Sequence, residues 1–202
     1  MSKLLDESKR PFPPQLWRRL FHITAGSSIP IIGLLVNGSY IVVLSAALVG
    51  LAIGLELLRF AIPSLNRSLM SRLRYLFRPT EANKVTGATY MVIASLAAFL
   101  FFEREVAVAA LLFNSVGDPL AGLVGSMARG PRLFSKSWQG TATYLLAAVA
   151  LAYLLFGTGQ AGPLWVLLVG AGVATLTELL PLPLDDNVSV PLVSGAVMAL
   201  LG

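Results

Sequence analysis

Cysteine is absent from the 202 residues, which excludes disulfides, thiolate metal sites and cysteine nucleophiles. Charge is scarce too: 12% of the residues are Asp, Glu, Lys or Arg, against about 25% in soluble domains. Histidine occurs once, at His22. No tandem repeat or low-complexity tract is present, and Pro11-Phe12-Pro13-Pro14 only stiffens the stretch ahead of the first apolar run. Hydrophobic side chains make up 56% of the chain, the composition of an integral membrane protein. The net charge of +5 suits anionic lipid headgroups or an anionic substrate. Nucleic acid is not the partner it suggests, because the basic residues flank apolar spans and do not interleave with exposed aromatics. The first apolar run begins near Leu20 with no small-residue cleavage site after it, so it reads as a span that is kept, not a secretory signal.

Apolar segments at 20–36, 40–58, 88–102, 106–124, 141–156, 163–180 and 188–201 predict an all-α fold. It is a polytopic transmembrane bundle of about seven spans, with a basic tail over 1–19 and one domain over 20–202. A crossing takes about 20 residues, or about 17 at the short end, so the shorter segments must extend into their polar flanks or half-bury one another. Lysine and arginine fix the expected orientation. Fourteen of the fifteen lie in the tail or in the loops 59–87 and 125–140, and Arg104 alone lies on the opposite side. The positive-inside rule puts the N-terminus and these loops in the cytoplasm, as expected for a multi-pass protein of a prokaryotic plasma membrane. Within 59–87, at about 100° per residue, Leu65, Leu69 and Leu76 share one face while Arg67, Arg74 and Arg78 share the other. This pattern predicts an amphipathic helix in the cytoplasmic interface, and the alternative reading is that one of its arginines binds substrate phosphate directly.

The polar residues in and near the spans then fall into one half of the membrane. His22 opens the first span behind Arg18 and Arg19, Glu56 and Arg59 close the second, and Glu81 and Lys84 precede the third. Asp118 lies thirteen residues into the fourth, about 20 Å from its outer edge at ~1.5 Å per residue. Glu178 closes the sixth, and Asp185-Asp186-Asn187 turn into the seventh. An ionisable residue at membrane depth is costly and points to function. Carboxylates gathered with lysine and arginine on one face suit a divalent cation carrying a polyphosphate. Mg²⁺ is usually held by one or two carboxylates plus substrate phosphates, and cationic side chains offset the charge of a transferring phosphoryl group. Asp118, Asp186 and Glu178 are the candidate metal ligands and Asn187 a neutral donor. Lys136, Arg18 and Arg19 are the candidate phosphate contacts.

Proline disfavours helix at the residue before it and favours the first helical position. Asp118-Pro119 therefore predicts a cap and a break in the fourth span, with its freed backbone lining a cavity. Plainer readings stand beside the functional ones. Asp118 can be a cap paired with Lys136 or an arginine, and His22 an interfacial residue without a role. Glu56 and Arg59 can be an intrahelical ion pair, and Asp185-Asp186-Asn187 a helix cap.

Taken in order, several motifs resemble the CTP-dependent lipid kinases, the dolichol, phytol and fungal-type diacylglycerol kinases. They are Arg18-Arg19-x-x-His22 with Gly26, Glu56-x-x-Arg59, Glu81 ahead of Thr86-Gly87-Ala88-Thr89-Tyr90, and Gly117-Asp118-x-x-Ala121-x-x-x-Gly125. Lys136-Ser137-x-x-Gly140 follows, then Glu178 and Asp186-Asn187-x-x-Val190-Pro191. The resemblance implies transfer of the γ-phosphate of CTP, with a divalent cation such as Mg²⁺, to a membrane lipid alcohol: a polyprenol, a phytol-like prenol or diacylglycerol. It implies catalytic roles for Asp118 and Lys136, with His22 or Glu56 taking the alcohol proton and Glu81 a rival. It implies nucleotide contacts from Arg18, Arg19, Gly117, Lys136, Ser137, Gly140 and Asn187; Glu81, Arg59 and Lys84 are further site candidates, the last two without an assigned role. The family's Arg-Lys pair is Arg18-Arg19 here, which keeps the charge. Phosphatidate cytidylyltransferase is the alternative activity, and a small transporter the non-enzyme one. A transporter would place polar residues in both halves of the bilayer.

Overall fold

The computed structural model describes residues 14–36, 38–159 and 161–202. Lys3, Lys9 and Arg10 of the expected basic tail lie outside them. Among the described residues the chain forms eight α-helices: α1 (Pro14–Leu35), α2 (Gly38–Ala61), α3 (Pro63–Arg72), α4 (Gly87–Phe101), α5 (Arg104–Met127), α6 (Trp138–Gly157), α7 (Leu164–Leu179) and α8 (Asp186–Leu201). A short 3-10 turn, Pro79–Asn83, precedes α4. The strands β1 (Arg132–Leu133) and β2 (Lys136–Ser137) pair antiparallel between α5 and α6, a hairpin the all-helical expectation lacked. Its tip carries Phe134 at φ 55°, left-handed backbone of the kind two-residue hairpin loops demand.

Each of the seven expected apolar segments is a helix. Three of them, α2, α5 and α6, are long and apolar enough to cross a membrane, while α4, α7 and α8 are shorter apolar helices. α1 begins at Pro14, so Arg18 and Arg19 are already helical.

The bundle is built around α5, which packs on α1, α4, α6, α7 and α8. Small residues let α5 and α6 approach closely. A Cβ on Gly117 would stand 2.8 Å from the Tyr144 ring, and one on Gly140 would stand 2.8 Å from the Ala121 carbonyl oxygen. Without hydrophobic attraction between helices in lipid, such close van der Waals packing is what holds them together.

Two expectations about helix shape are corrected. α5 runs unbroken through Pro119. Proline removes the N–H that would bond the Ser115 carbonyl and costs an isolated helix about 3 kcal/mol. Here Pro119 and Ser115 are both buried among the neighbours of α5, and packing outweighs that cost. The amphipathic helix is also shorter than its pattern. α3 ends at Arg72, so Leu76 and the basic Arg74 and Arg78 lie beyond it. Leu76 and Arg78 instead wall a cleft.

Candidate active site

Asp118 occupies the shared wall of two adjoining cavities. The first, of about 230 Å³, lies between α1, the Leu76–Glu81 segment, the start of α4 and α5, and is lined by Arg18, Arg19, His22, Arg78, Glu81 and Asn187 among others. The second, of about 270 Å³, lies between α5, the hairpin, α6 and α7, and is lined by Ser126, Arg132, Lys136, Ser137, Gly140 and Glu178 among others. Either alone falls below the roughly 300–1,000 Å³ typical of ligand pockets, a range the two reach together. Of the polar residues predicted to converge, Arg18, Arg19, His22, Glu81, Asp118 and Asn187 line the first lobe and Asp118, Lys136 and Glu178 the second, whereas Glu56, Arg59, Lys84 and Asp186 line neither.

In the first lobe the Asp118 Oδ2 is 3.9 Å from His22 Nδ1, a distance of charge proximity and not of a hydrogen bond. His22 Nε2 is buried and makes no hydrogen bond among the described residues. Asn187 is held on both sides. Its backbone N–H and side-chain amide donate to Asp185 Oδ1 at 3.0 and 2.8 Å, and its Oδ1 accepts from Asn114 Nδ2 at 3.2 Å. Glu81 faces the cleft, but its two oxygens accept the backbone N–H groups of Arg78 at 2.7 Å and Gly87 at 2.9 Å.

In the second lobe Lys136 does not pair with Asp118. Its Nζ donates to Glu178 Oε1 at 2.6 Å and to Asp186 Oδ2 at 3.0 Å. Burial works to lower the Lys136 pKa, but the bonds and charges of the two carboxylates outweigh it and hold the ammonium above its ordinary range. The second Glu178 oxygen, Oε2, is buried without a hydrogen-bond partner among the described residues. Ser137 caps α6, its hydroxyl accepting from the Gly140 N–H at 3.1 Å.

Glu56 and Arg59 lie outside both lobes. Glu56 Oε1 accepts from the Thr86 backbone and from the hydroxyls of Thr86 and Thr89 at 2.9–3.0 Å, and its Oε2 accepts from Arg59 Nε at 2.7 Å. Arg59 reaches onward to Asn66 Oδ1 at 3.1 Å, to the Glu81 carbonyl at 3.0 Å, and to the carbonyls of Ala82 and Lys84. The pair is thus more than intrahelical: it pins the Pro79–Asn83 turn to the end of α2. Lys84 contributes its carbonyl to this pin, and its side chain lines a separate surface cavity.

The proposed metal ligands are not one cluster. Glu178 and Asp186 meet at Lys136 while Asp118 faces His22, and among the described residues no three His, Asp or Glu side chains gather as a metal site. Two buried polar residues beside the lobes carried no weight in the sequence. Asn114 had a readable signal, an amide one turn before Asp118 on the same helix. Tyr144, fully buried with its hydroxyl unpartnered among the described residues, had none, because only the α5–α6 packing brings it to Gly117.

A helical bundle with three membrane-competent helices and a charged two-lobed cleft is the class that fold and site define. The chain is similar to the CTP-dependent diacylglycerol kinase 1 of Schizosaccharomyces pombe, 25% identical over 161 residues that cover 72% of this chain and 74% of the relative. It is also similar to an uncharacterised protein of Rickettsia prowazekii, 23% identical over 181 residues that cover 87% and 88% of the two. No family model and no solved structure matches it.

Proposed function

We propose that this protein is a CTP-dependent lipid kinase, moving the γ-phosphate of CTP to the hydroxyl of a membrane lipid alcohol, diacylglycerol or a prenol. The observation that carries the reading is the position of Asp118 in the wall common to two lobes, where a donor and an acceptor would meet at one carboxylate. The similarity to a CTP-dependent diacylglycerol kinase supplies the nucleotide and the acceptor class. The alcohol oxygen forms a bond to the γ-phosphorus, the bridging bond to the β-phosphate breaks, and CDP leaves. His22 is the favoured acceptor of the alcohol proton, since it lines the first lobe beside Asp118. The oxygens of its rivals Glu56 and Glu81 are taken by hydrogen bonds. A weak base suffices for a reaction governed mainly by positioning and charge.

Asp118 is a hard oxygen donor without a salt bridge to lysine or arginine among the described residues, which fits Mg²⁺ that arrives on a nucleotide and keeps its phosphate and water ligands. Asp118 would hold the ion, whose chemistry is to offset phosphate charge, while Glu178 and Asp186 stay engaged by Lys136. Arg18 and Arg19 hold phosphates. Lys136 orients Glu178 and Asp186, while Ser137, Gly140 and Gly117 let α5 and α6 approach beside them. In this reading all seven apolar helices lie in the membrane with the N-terminus cytoplasmic, as the lysine and arginine distribution supports, and the cleft opens on the inner leaflet.

Purified protein with Mg²⁺, γ-labelled CTP and diacylglycerol or a prenol should yield labelled lipid phosphate and CDP. Asp118→Asn, at a side chain 26% exposed, should keep the fold and lower kcat by about 10²-fold or more, the scale of losing one charge-stabilising group. An unchanged rate, or pyrophosphate released from CTP and phosphatidate, would overturn the reading.

A further inference from the structure

We propose that the Leu76–Glu81 segment is the third wall of the nucleotide site and that Arg78 binds the polyphosphate beside Arg18 and Arg19. This rests on the lipid-kinase reading and assigns the first lobe to the nucleotide. The spacing of the basic residues predicts Arg78 on a lipid-surface helix; the fold instead puts it in the cleft opposite α1. Among the described residues none of Arg18, Arg19 and Arg78 has a carboxylate within ion-pair distance. Of the two carboxylates in the lobe, Glu81 is occupied by backbone N–H groups and Asp118 faces His22. Three converging guanidinium groups repel one another until an anion joins them, and guanidinium suits phosphate because it offers several donors in one plane. Phe21 and Phe77 line the same lobe and offer apolar surface to a base.

The segment is fixed in place at some cost in buried polarity. Arg59, only 4% exposed, spends its donors on the carbonyls of Glu81, Ala82 and Lys84. Asn66 Nδ2 adds a bond of 2.8 Å to the Ala82 carbonyl. Glu56 holds Arg59 at one end and the start of α4 at the other. Such a set of bonds to one turn has a use if that turn must stand at a set distance across a cleft. Glu56 and Arg59 are then positioning residues for Arg78.

The shared chemistry is a phosphate, from a nucleotide or from a lipid headgroup, and the test separates the two. Binding of CTP, CMP and inorganic tripolyphosphate is measured on the full chain in phosphatidylcholine and in phosphatidylglycerol nanodiscs. Arg78→Gln is expected to weaken CTP and tripolyphosphate by about tenfold or more in both lipids, the usual worth of a hydrogen bond between charged groups, and CMP far less. Arg78→Lys should recover part of the loss, and Arg74→Gln, outside the cleft, should change nothing. Wild-type protein that binds CTP while Arg78→Gln binds it equally well overturns this inference and leaves the kinase reading intact. Wild-type protein that binds neither CTP nor tripolyphosphate overturns both. A loss confined to phosphatidylglycerol assigns Arg78 to a headgroup and overturns the inference.

Discussion

On one side of Asp118, Arg18, Arg19 and Arg78 converge with no carboxylate in ion-pair range among the described residues. On the other, Lys136 is gripped by Glu178 and Asp186. The same sign of charge is put to opposite uses. A cation already neutralised by two carboxylates has little field left for an incoming phosphate, and its removal strands the acids it served. A cation without a counter-ion holds its neighbours apart and gains when an anion arrives. Stability should therefore depend on the lysine lobe and anion binding on the arginine lobe.

The largest expected effect on stability comes from Lys136→Met. Glu178 is 3% exposed, and breaking a buried pair from one side costs roughly 3–5 kcal/mol. Lys136 keeps 29% exposure, so water screens part of that and about 2–3 kcal/mol remains. The melting temperature in detergent should fall clearly, and adding Glu178→Gln should restore part of it, a coupling that a double-mutant cycle reads directly. Arg18→Gln should leave the melting temperature unchanged or raise it. An equal fall for both variants would dissolve the comparison.

The same interaction sets a pH window. Lys136 is raised above 10.5 in the fold, so its stabilisation is fully present below 10.5 and is lost as pH climbs through the higher folded value. Other groups titrate there as well, so the informative quantity is the difference between wild type and Lys136→Met. That difference in melting temperature should be constant through neutrality and shrink above pH 10.5. A difference that persists at the alkaline end would mean the ammonium charge is not what holds Glu178 and Asp186.

Much of this architecture was legible because a membrane fold writes its spans as apolar runs. The segment expected at 106–124 is α5 at Arg104–Met127, and that at 40–58 is α2 at Gly38–Ala61. Burial was not legible. α2 and α5 are equally long, yet α5 buries twelve residues and α2 four, because in lipid the more apolar helix belongs on the outside. The unbroken helix through Pro119 was misread since local preference ignores what five neighbours impose. The gathering of charged residues at one end was readable from topology, as charges lie near span ends. Which acid takes which base was not. Lys136 is 42 and 50 residues from its two partners, and only helix packing decides between them and Asp118, eighteen residues away.

The smallest effects test the same contrast inside α5 itself, at two glycines five residues apart. A Cβ on Gly117 would press on the Tyr144 ring at 2.8 Å, and Tyr144 is fully buried with no room to retreat. Gly117→Ala should cost about 1–3 kcal/mol, as overpacking does. Gly122 lines both lobes, and its Cβ would meet the Arg19 guanidinium at 3.5 Å, an ordinary contact with the far end of a flexible side chain. Gly122→Ala should fall within about 0.5 kcal/mol of wild type, offset further by the better helix propensity of alanine. Thermal melts of the two variants decide the matter. If Gly122→Ala loses as much as Gly117→Ala, Arg19 is clamped in place like Lys136, and the arginine lobe has no freedom to close on an anion. If it loses almost nothing, Arg19 moves aside at little cost, as a side chain waiting for a phosphate must.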